Sequence, residues 1–167
     1  MRKKLKKNAV RVIPQSAGPL PLKFASQYEG VVLVFSDASI KTHGGMAAVL
    51  FGKPESDPIV VTRTVPSIGS NELELQAALF GLLQAEQMFP DRHLALFTDN
   101  SDAAIRLTRA KELGLGQDKA LAQIMPALDI NKSLARASFR WLKGHSSCRG
   151  NTLADKYARD AALSLLT

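Results

Sequence analysis

The sequence predicts a single α/β domain, and three observations predict it. Short apolar runs bounded by turn residues recur along the chain, three of them precede the first helical pattern, and the later ones are separated by stretches of helical period. Three consecutive strands, followed by strands that arrive through helical crossovers, make a mixed sheet that is antiparallel first and parallel afterwards. The expected order is βββαβααβα.

Each element has its own signal. VVLVFSDAS (31–39) opens with five consecutive apolar residues, as a strand buried on both faces does, and is expected at the centre of the sheet. GGMAAVLFG (44–52) and PIVVTRTVP (58–66) are strand-like runs joined by the polar turn KPESD, which completes a three-strand meander. From Asn71 the period changes: Leu73, Ala77, Phe80 and Leu83 recur at helical spacing and predict a helix over 71–88, with Asn71 as candidate cap and Glu74 three residues later. HLALFTDN (93–100) is a short strand that ends in an acid, and a helical pattern runs from Ser101 to Leu113. Gly114 and Gly116 break the pattern before a second helical stretch over 117–128, which Pro126 shortens. ARASFRWLKGH (135–145) alternates around Phe139 and Trp141 as a fifth strand. Asn151 is then expected to cap a last helix from Thr152 to Leu166.

Composition and charge narrow the class. The chain has 167 residues, 46% hydrophobic and 22% charged, enough for one core. One cysteine, Cys148, excludes an internal disulfide and suits a reducing compartment, so a cytoplasmic location is expected. No run of eighteen apolar residues exists, and Arg11 and Pro14 interrupt any signal-peptide core, so neither secretion nor membrane spanning is expected. Most of the net charge of +7 lies at one end: residues 1–30 hold seven Lys or Arg against Glu29 alone, while the remainder holds 15 basic and 14 acidic side chains. Pro14, Gly18, Pro19 and Pro21 interrupt regular structure there. Residues 1–29 therefore read as a flexible basic arm and 30–167 as the folded domain; such an arm suits a polyanion held without sequence reading, or serves simply as a solubilising tail.

The acids carry the chemistry. Asp37 ends the central strand and Asp99 ends HLALFTD, and in an open α/β sheet the carboxyl ends of neighbouring parallel strands line the ligand crevice. Glu74 and Asp155, each expected in the first turn of a helix, can reach the same crevice. Taken singly, each has a plain structural role: Asp37 and Asp99 as turn formers, Glu74 in a capping box, Asp155 against a helix dipole and His145 as a surface histidine. Taken together, four carboxylates repel, a close pair by about 4 kcal/mol at an effective dielectric of about 20. Hard divalent ions suit such all-oxygen sites, and two of them stabilise the attacking and leaving oxygens of an in-line phosphoryl displacement.

The contexts are specific. VFSDAS, SNELELQAAL, LFTDN, WLKGHSS and GNTLADKYARDAA, in that order, resemble the type 1 ribonuclease H family over residues 31–165. The resemblance implies a ribonuclease H-like sheet of order 3-2-1-4-5 flanked by helices. It also implies an enzyme that hydrolyses the RNA strand of RNA/DNA hybrids and leaves 5′-phosphate and 3′-hydroxyl ends. Asp37, Glu74, Asp99 and Asp155 match the family's ligands for two Mg²⁺ ions, with Mn²⁺ as the alternative, and His145 matches its mobile-loop histidine. Ser39, Ser70, Asn71, Asn100 and Ser101 fall where substrate is contacted, Asn71 next to the ribose. A monomer is expected. Ala38 stands where a glycine often follows the first acid, KTHGG is a short first loop, and the basic protrusion of some members is missing between Arg106 and Lys132; the basic arm is expected to replace it. The alternatives are an inert nucleic-acid-binding module of the same fold, for which loss of an acid would be the sign, and another nuclease of the superfamily, for which different acid spacing would be.

Overall fold

The computed structural model describes residues 19–20, 26–53, 56–114, 118–124, 130–142 and 148–165. Its strands are β1 (Val32–Ile40), β2 (Gly44–Phe51), β3 (Ile59–Val65), β4 (Leu94–Thr98) and β5 (Ala137–Trp141). Its helices are α1 (Ser70–Met88), α2 (Ser101–Leu113), α3 (Lys119–Ile124), α4 (Ile130–Arg136) and α5 (Arg149–Ala162). The strands form one sheet in the order β3-β2-β1-β4-β5. β1–β2 and β2–β3 pair antiparallel, and β1–β4 and β4–β5 pair parallel. This is the mixed 3-2-1-4-5 sheet that the sequence predicts.

The alternation of β1 explains the two layers. Val32 and Val34 point to one face, where they join Leu73, Leu82, Leu107, Leu121 and Leu134 of the first four helices. Leu33 and Phe35 point to the other, with Phe51, Phe97 and Ala154. Phe35 stacks on Phe97 with ring centroids 5.0 Å apart and meets Phe51 edge-on at 5.9 Å. A strand that buries both faces reads as a continuous apolar run, which is why the first strand is so legible.

On the second face α5 lies almost on the backbone of the sheet. Its buried side is small: Gly150, Ala154, Ala158, Ala161 and Ala162. A Cβ on Gly45 would sit 2.2 Å from the Ala158 carbonyl oxygen and 2.3 Å from the Ala162 nitrogen, and one on Gly150 would sit 2.3 Å from the Phe35 ring. Thr64 Oγ1 donates to the Ala161 carbonyl at 2.7 Å, and the His43 N–H donates to that of Ala162 at 2.9 Å. On the opposite layer Arg106 joins three helices: it donates from Nε to Asp118 at 2.8 Å and from a terminal nitrogen to Glu72 at 3.1 Å. Asp118 also accepts from the Leu121 N–H at 3.0 Å and so caps α3.

Several boundaries differ from expectation. Residues 130–136 form α4, so the fifth strand starts at Ala137 rather than Ala135 and ends at Trp141. Leu134 packs into the first core, and Arg136 pairs with Glu86 and reaches Asp91, which holds this turn against α1. The helix expected over 117–128 is described only as α3, since residues 115–117 and 125–129 lie outside the described residues. α1 begins at Ser70 after Gly69, with no side-chain cap, so Asn71 is not the cap. α5 begins at Arg149 after the extended Cys148, with the Thr152 N–H bonded to the Cys148 carbonyl at 3.1 Å. Asn151 is therefore buried inside the helix, and Asp155 falls in its second turn rather than its first.

Candidate active site

The register of the central strands builds the site. The last parallel pair between β1 and β4 is Ser36 with Thr98, and the next residue on each strand is an acid, Asp37 and Asp99. The N-terminus of α1 brings in Glu74. One carboxylate oxygen from each of Asp37, Glu74 and Asp99 lies within 4.8 Å of the others. Asp37 is buried at 3% exposure and accepts from the Ala38 N–H at 2.9 Å. Among the described residues Glu74 keeps one oxygen, Oε1, buried with no hydrogen-bond partner, a costly state for a carboxylate unless a cation meets it.

The electrostatics follow from this packing. Burial, and then repulsion from Asp99, push the Asp37 carboxyl up to about 8. Burial, and then repulsion from Asp37 and Asp99, push Glu74 up to about 10. Asp99 is raised by burial first and by the charge of Asp155 second. Asp155 itself is exposed at the rim of the site, outside the group of three, with Oδ2 3.0 Å from Arg159. Its charge is nonetheless felt by both Asp37 and Asp99. Three close carboxylates, one with an unpaired buried oxygen, and a fourth at the rim are a donor set that fits hard divalent ions.

The polar residues expected to touch substrate divide into groups. Asn100 caps α2 by accepting from the Ala103 N–H at 2.8 Å, and its amide donates to Asn71 Oδ1 at 3.0 Å, so the starts of α1 and α2 are tied together beside the acids. Ser39 and Ser70 share a small cleft with Glu74, about 120 Å³ in volume. Ser101 is exposed and opens onto a separate, larger groove. His145 lies outside the described residues. One residue that sequence reasoning left as a strand position belongs here as well: the Trp141 indole N–H donates to the Asp99 carbonyl oxygen at 3.2 Å. Its pairing with Thr98 in the parallel β4–β5 register, which no local sequence pattern encodes, is what places it there.

An open α/β sheet with acids gathered where β1 and β4 end their parallel pairing places them in the crevice where such sheets bind ligands. The RNase H family model matches residues 29–163, and the chain belongs to that family. Comparison of the sequence with curated proteins finds no match. Among solved structures, the chain is similar to the N-terminal RNase H domain of Rv2228c from Mycobacterium tuberculosis, at 18% identity and a TM-score of 0.59, over 80% of this chain and 94% of that one. It is similar to the protease–reverse transcriptase of prototype foamy virus at 24% identity and a TM-score of 0.61, covering 92% of this chain and 23% of that one. It is also similar to LC11-RNase H1, solved in complex with an RNA/DNA hybrid, at 14% identity and a TM-score of 0.54, over 80% of this chain and 99% of that one. At these identities the likeness is one of fold. No helix among the described residues is long and apolar enough to cross a membrane.

Proposed function

We propose that this chain is an endoribonuclease that hydrolyses the RNA strand of RNA/DNA hybrids and leaves 5′-phosphate and 3′-hydroxyl ends. The observation that carries the reading is the group of Asp37, Glu74 and Asp99, with oxygens within 4.8 Å of one another in a chain of the RNase H family. The solved LC11-RNase H1 complex with a hybrid, on the same fold, supports the choice of substrate.

Asp37, Glu74, Asp99 and Asp155 would hold two Mg²⁺ ions, or Mn²⁺ as the alternative; when bound, these supply charge neutralisation at the scissile phosphate and a more acidic attacking water. The protein's own residues do the rest. Asp37, Glu74 and Asp99 each bring one carboxylate oxygen within 4.8 Å of the other two. Asn71, held by Asn100, presents an amide to the ribose 2′-hydroxyl, the group that separates RNA from DNA. Ser39, Ser70 and Ser101 add hydroxyls along the strand. We assign proton transfer near the departing oxygen to His145, for which a neutral imidazole near pH 7 is suited. Residues 1–11 act as a basic arm on the hybrid backbone; although the arm was expected to run to residue 29, Leu20 and Tyr28 pack into the second core and belong with residues 30–167 to the catalytic domain of a cytoplasmic, monomeric enzyme.

The test is a cleavage assay with end-labelled RNA/DNA hybrid, duplex RNA and duplex DNA, each with Mg²⁺, Mn²⁺ or EDTA. Metal-dependent cutting of the RNA in the hybrid alone is expected. A hybrid bound but left intact in both metals would make the chain an inert binding module, and equal cutting of duplex DNA would make it another nuclease of the superfamily.

A further inference from the structure

Beside the acids, between α2 and the edge strand β5, a groove of about 620 Å³ opens to solvent. One wall is a single face of α2, with Ser101, Ile105, Thr108 and Arg109, and the other is Phe139 and Trp141 of β5. Ile105 is 53% exposed and Trp141 47%, while Phe139 reaches down to the core beneath. An aromatic face left in water at an edge strand suits a stacking partner. Arg109 has no hydrogen-bond or ion-pair partner among the described residues, so its guanidinium stands ready for an anion.

The groove adjoins the acidic site without sharing its lining. Ser101 follows Asp99 and Asn100 directly in the chain, and the Trp141 indole that lines the groove is the one bonded to the Asp99 carbonyl. A strand whose phosphate lay on the acids could therefore run on past Trp141 toward Arg109. Aromatic faces with a nearby guanidinium are how proteins hold unpaired nucleotides, by base stacking and a phosphate contact. Glu112, one turn past Thr108, closes the far end with negative charge, so the groove holds a short stretch rather than a long strand.

We propose that this groove binds unpaired ribonucleotides of the cleaved strand where it runs beyond the hybrid, with a base stacked on Trp141 and a phosphate on Arg109. The inference rests on the hybrid-nuclease reading above. It places preference for hybrids that carry a single-stranded RNA extension in residues outside the acidic site.

Trp141 is the chain's only tryptophan, so its fluorescence reports this groove alone. Full-length protein in Ca²⁺ is titrated with a blunt hybrid and with hybrids carrying unpaired RNA or unpaired DNA at either end. RNA extensions are expected to quench Trp141 more than the blunt duplex and to bind on the order of five- to tenfold tighter, the scale of one stacked base. Trp141→Ala should erase that advantage, Trp141→Phe should keep most of it, and Arg109→Gln should reduce it and its salt dependence, with thermal melts showing each variant folded. If the blunt hybrid binds and is cut in Mg²⁺ but RNA extensions give no added quench or affinity, the groove assignment is overturned while the hybrid-nuclease reading stands. An equal gain from DNA extensions overturns the choice of strand. A hybrid that is neither bound nor cut overturns the functional reading, and this inference with it.

Discussion

Asp37 and Asp99 stand side by side, each one residue past the Ser36–Thr98 pairing that closes the parallel register of β1 and β4. Parallel pairing in register is what turns two acids 62 residues apart in sequence into neighbours. Glu74 then adds a third carboxylate oxygen within 4.8 Å of theirs.

Asp37→Asn should separate folding from catalysis. The substitution puts a neutral amide where the carboxyl ionises only above about 8, so above that pH it removes a buried charge that repels Asp99. Above about pH 8 the metal-free variant should be more stable than the parent by about 1 kcal/mol, and at every pH it should be inactive on hybrid. Urea denaturation in EDTA, together with the cleavage assay, reads both effects; near-normal turnover would remove Asp37 from the site.

The stability of the metal-free protein should fall as pH rises. The folded protein holds the Asp37 proton up to about 8, whereas the unfolded chain releases it near an ordinary pKa of about 4. The stabilisation is complete below the unfolded value, and it is lost as pH climbs through the folded one. Glu74, raised to about 10, adds in the same direction. Mg²⁺ requires ionised ligands, so the gap between melts in Mg²⁺ and in EDTA should widen over that pH range. Parallel curves would contradict the electrostatic account.

Gly45→Ala should be costly although it adds one methyl group. The new Cβ meets backbone atoms of α5, not a side chain that can rotate away, so the helix itself must shift. A loss of about 3 kcal/mol is expected, with weaker cleavage because Asp155 rides on that helix. Chemical denaturation measures it, and a cost near zero would mean that α5 is not packed on β2 as described.

Removing residues 1–11, which leaves Leu20 and Tyr28 in the second core, should weaken hybrid binding and flatten its salt dependence. Arg2, Lys3, Lys4, Lys6, Lys7 and Arg11 go with the arm, and the slope of log affinity against log salt counts the phosphates neutralised. Fluorescence titrations at several salt concentrations give the slope, and an unchanged slope would leave the arm without a role on the hybrid.

What the sequence showed well was set by strong local signals. β1 was legible because a strand buried on both faces is continuously apolar, and β2 and β3 because turn residues bound them. α4 was missed because Ala135 and Arg136 run straight into β5 with no turn residue between, and the helix is held by Leu134 and Arg136 contacts to distant segments. The starts of α1 and α5 were misplaced for a related reason: Asn71 and Asn151 look like caps, but tertiary packing assigns one to Asn100 and buries the other. Asp37 was expected at a strand end, but it lies inside β1, which runs on to Ile40 against β2, and marks only the end of the pairing with β4. Asp99 could be found from a strand end. The part of Trp141 could not, since it depends on the parallel register of β4 and β5, which no local pattern encodes.

The most direct measurement is anomalous diffraction from crystals of the Asn71-intact, full-length protein soaked in Mn²⁺ with a non-cleavable hybrid. The account predicts strong anomalous peaks between the carboxylates of Asp37, Glu74 and Asp99, next to a backbone phosphate of the RNA strand. A well-ordered complex with no peak among those three residues, or with the hybrid seated elsewhere, would contradict it.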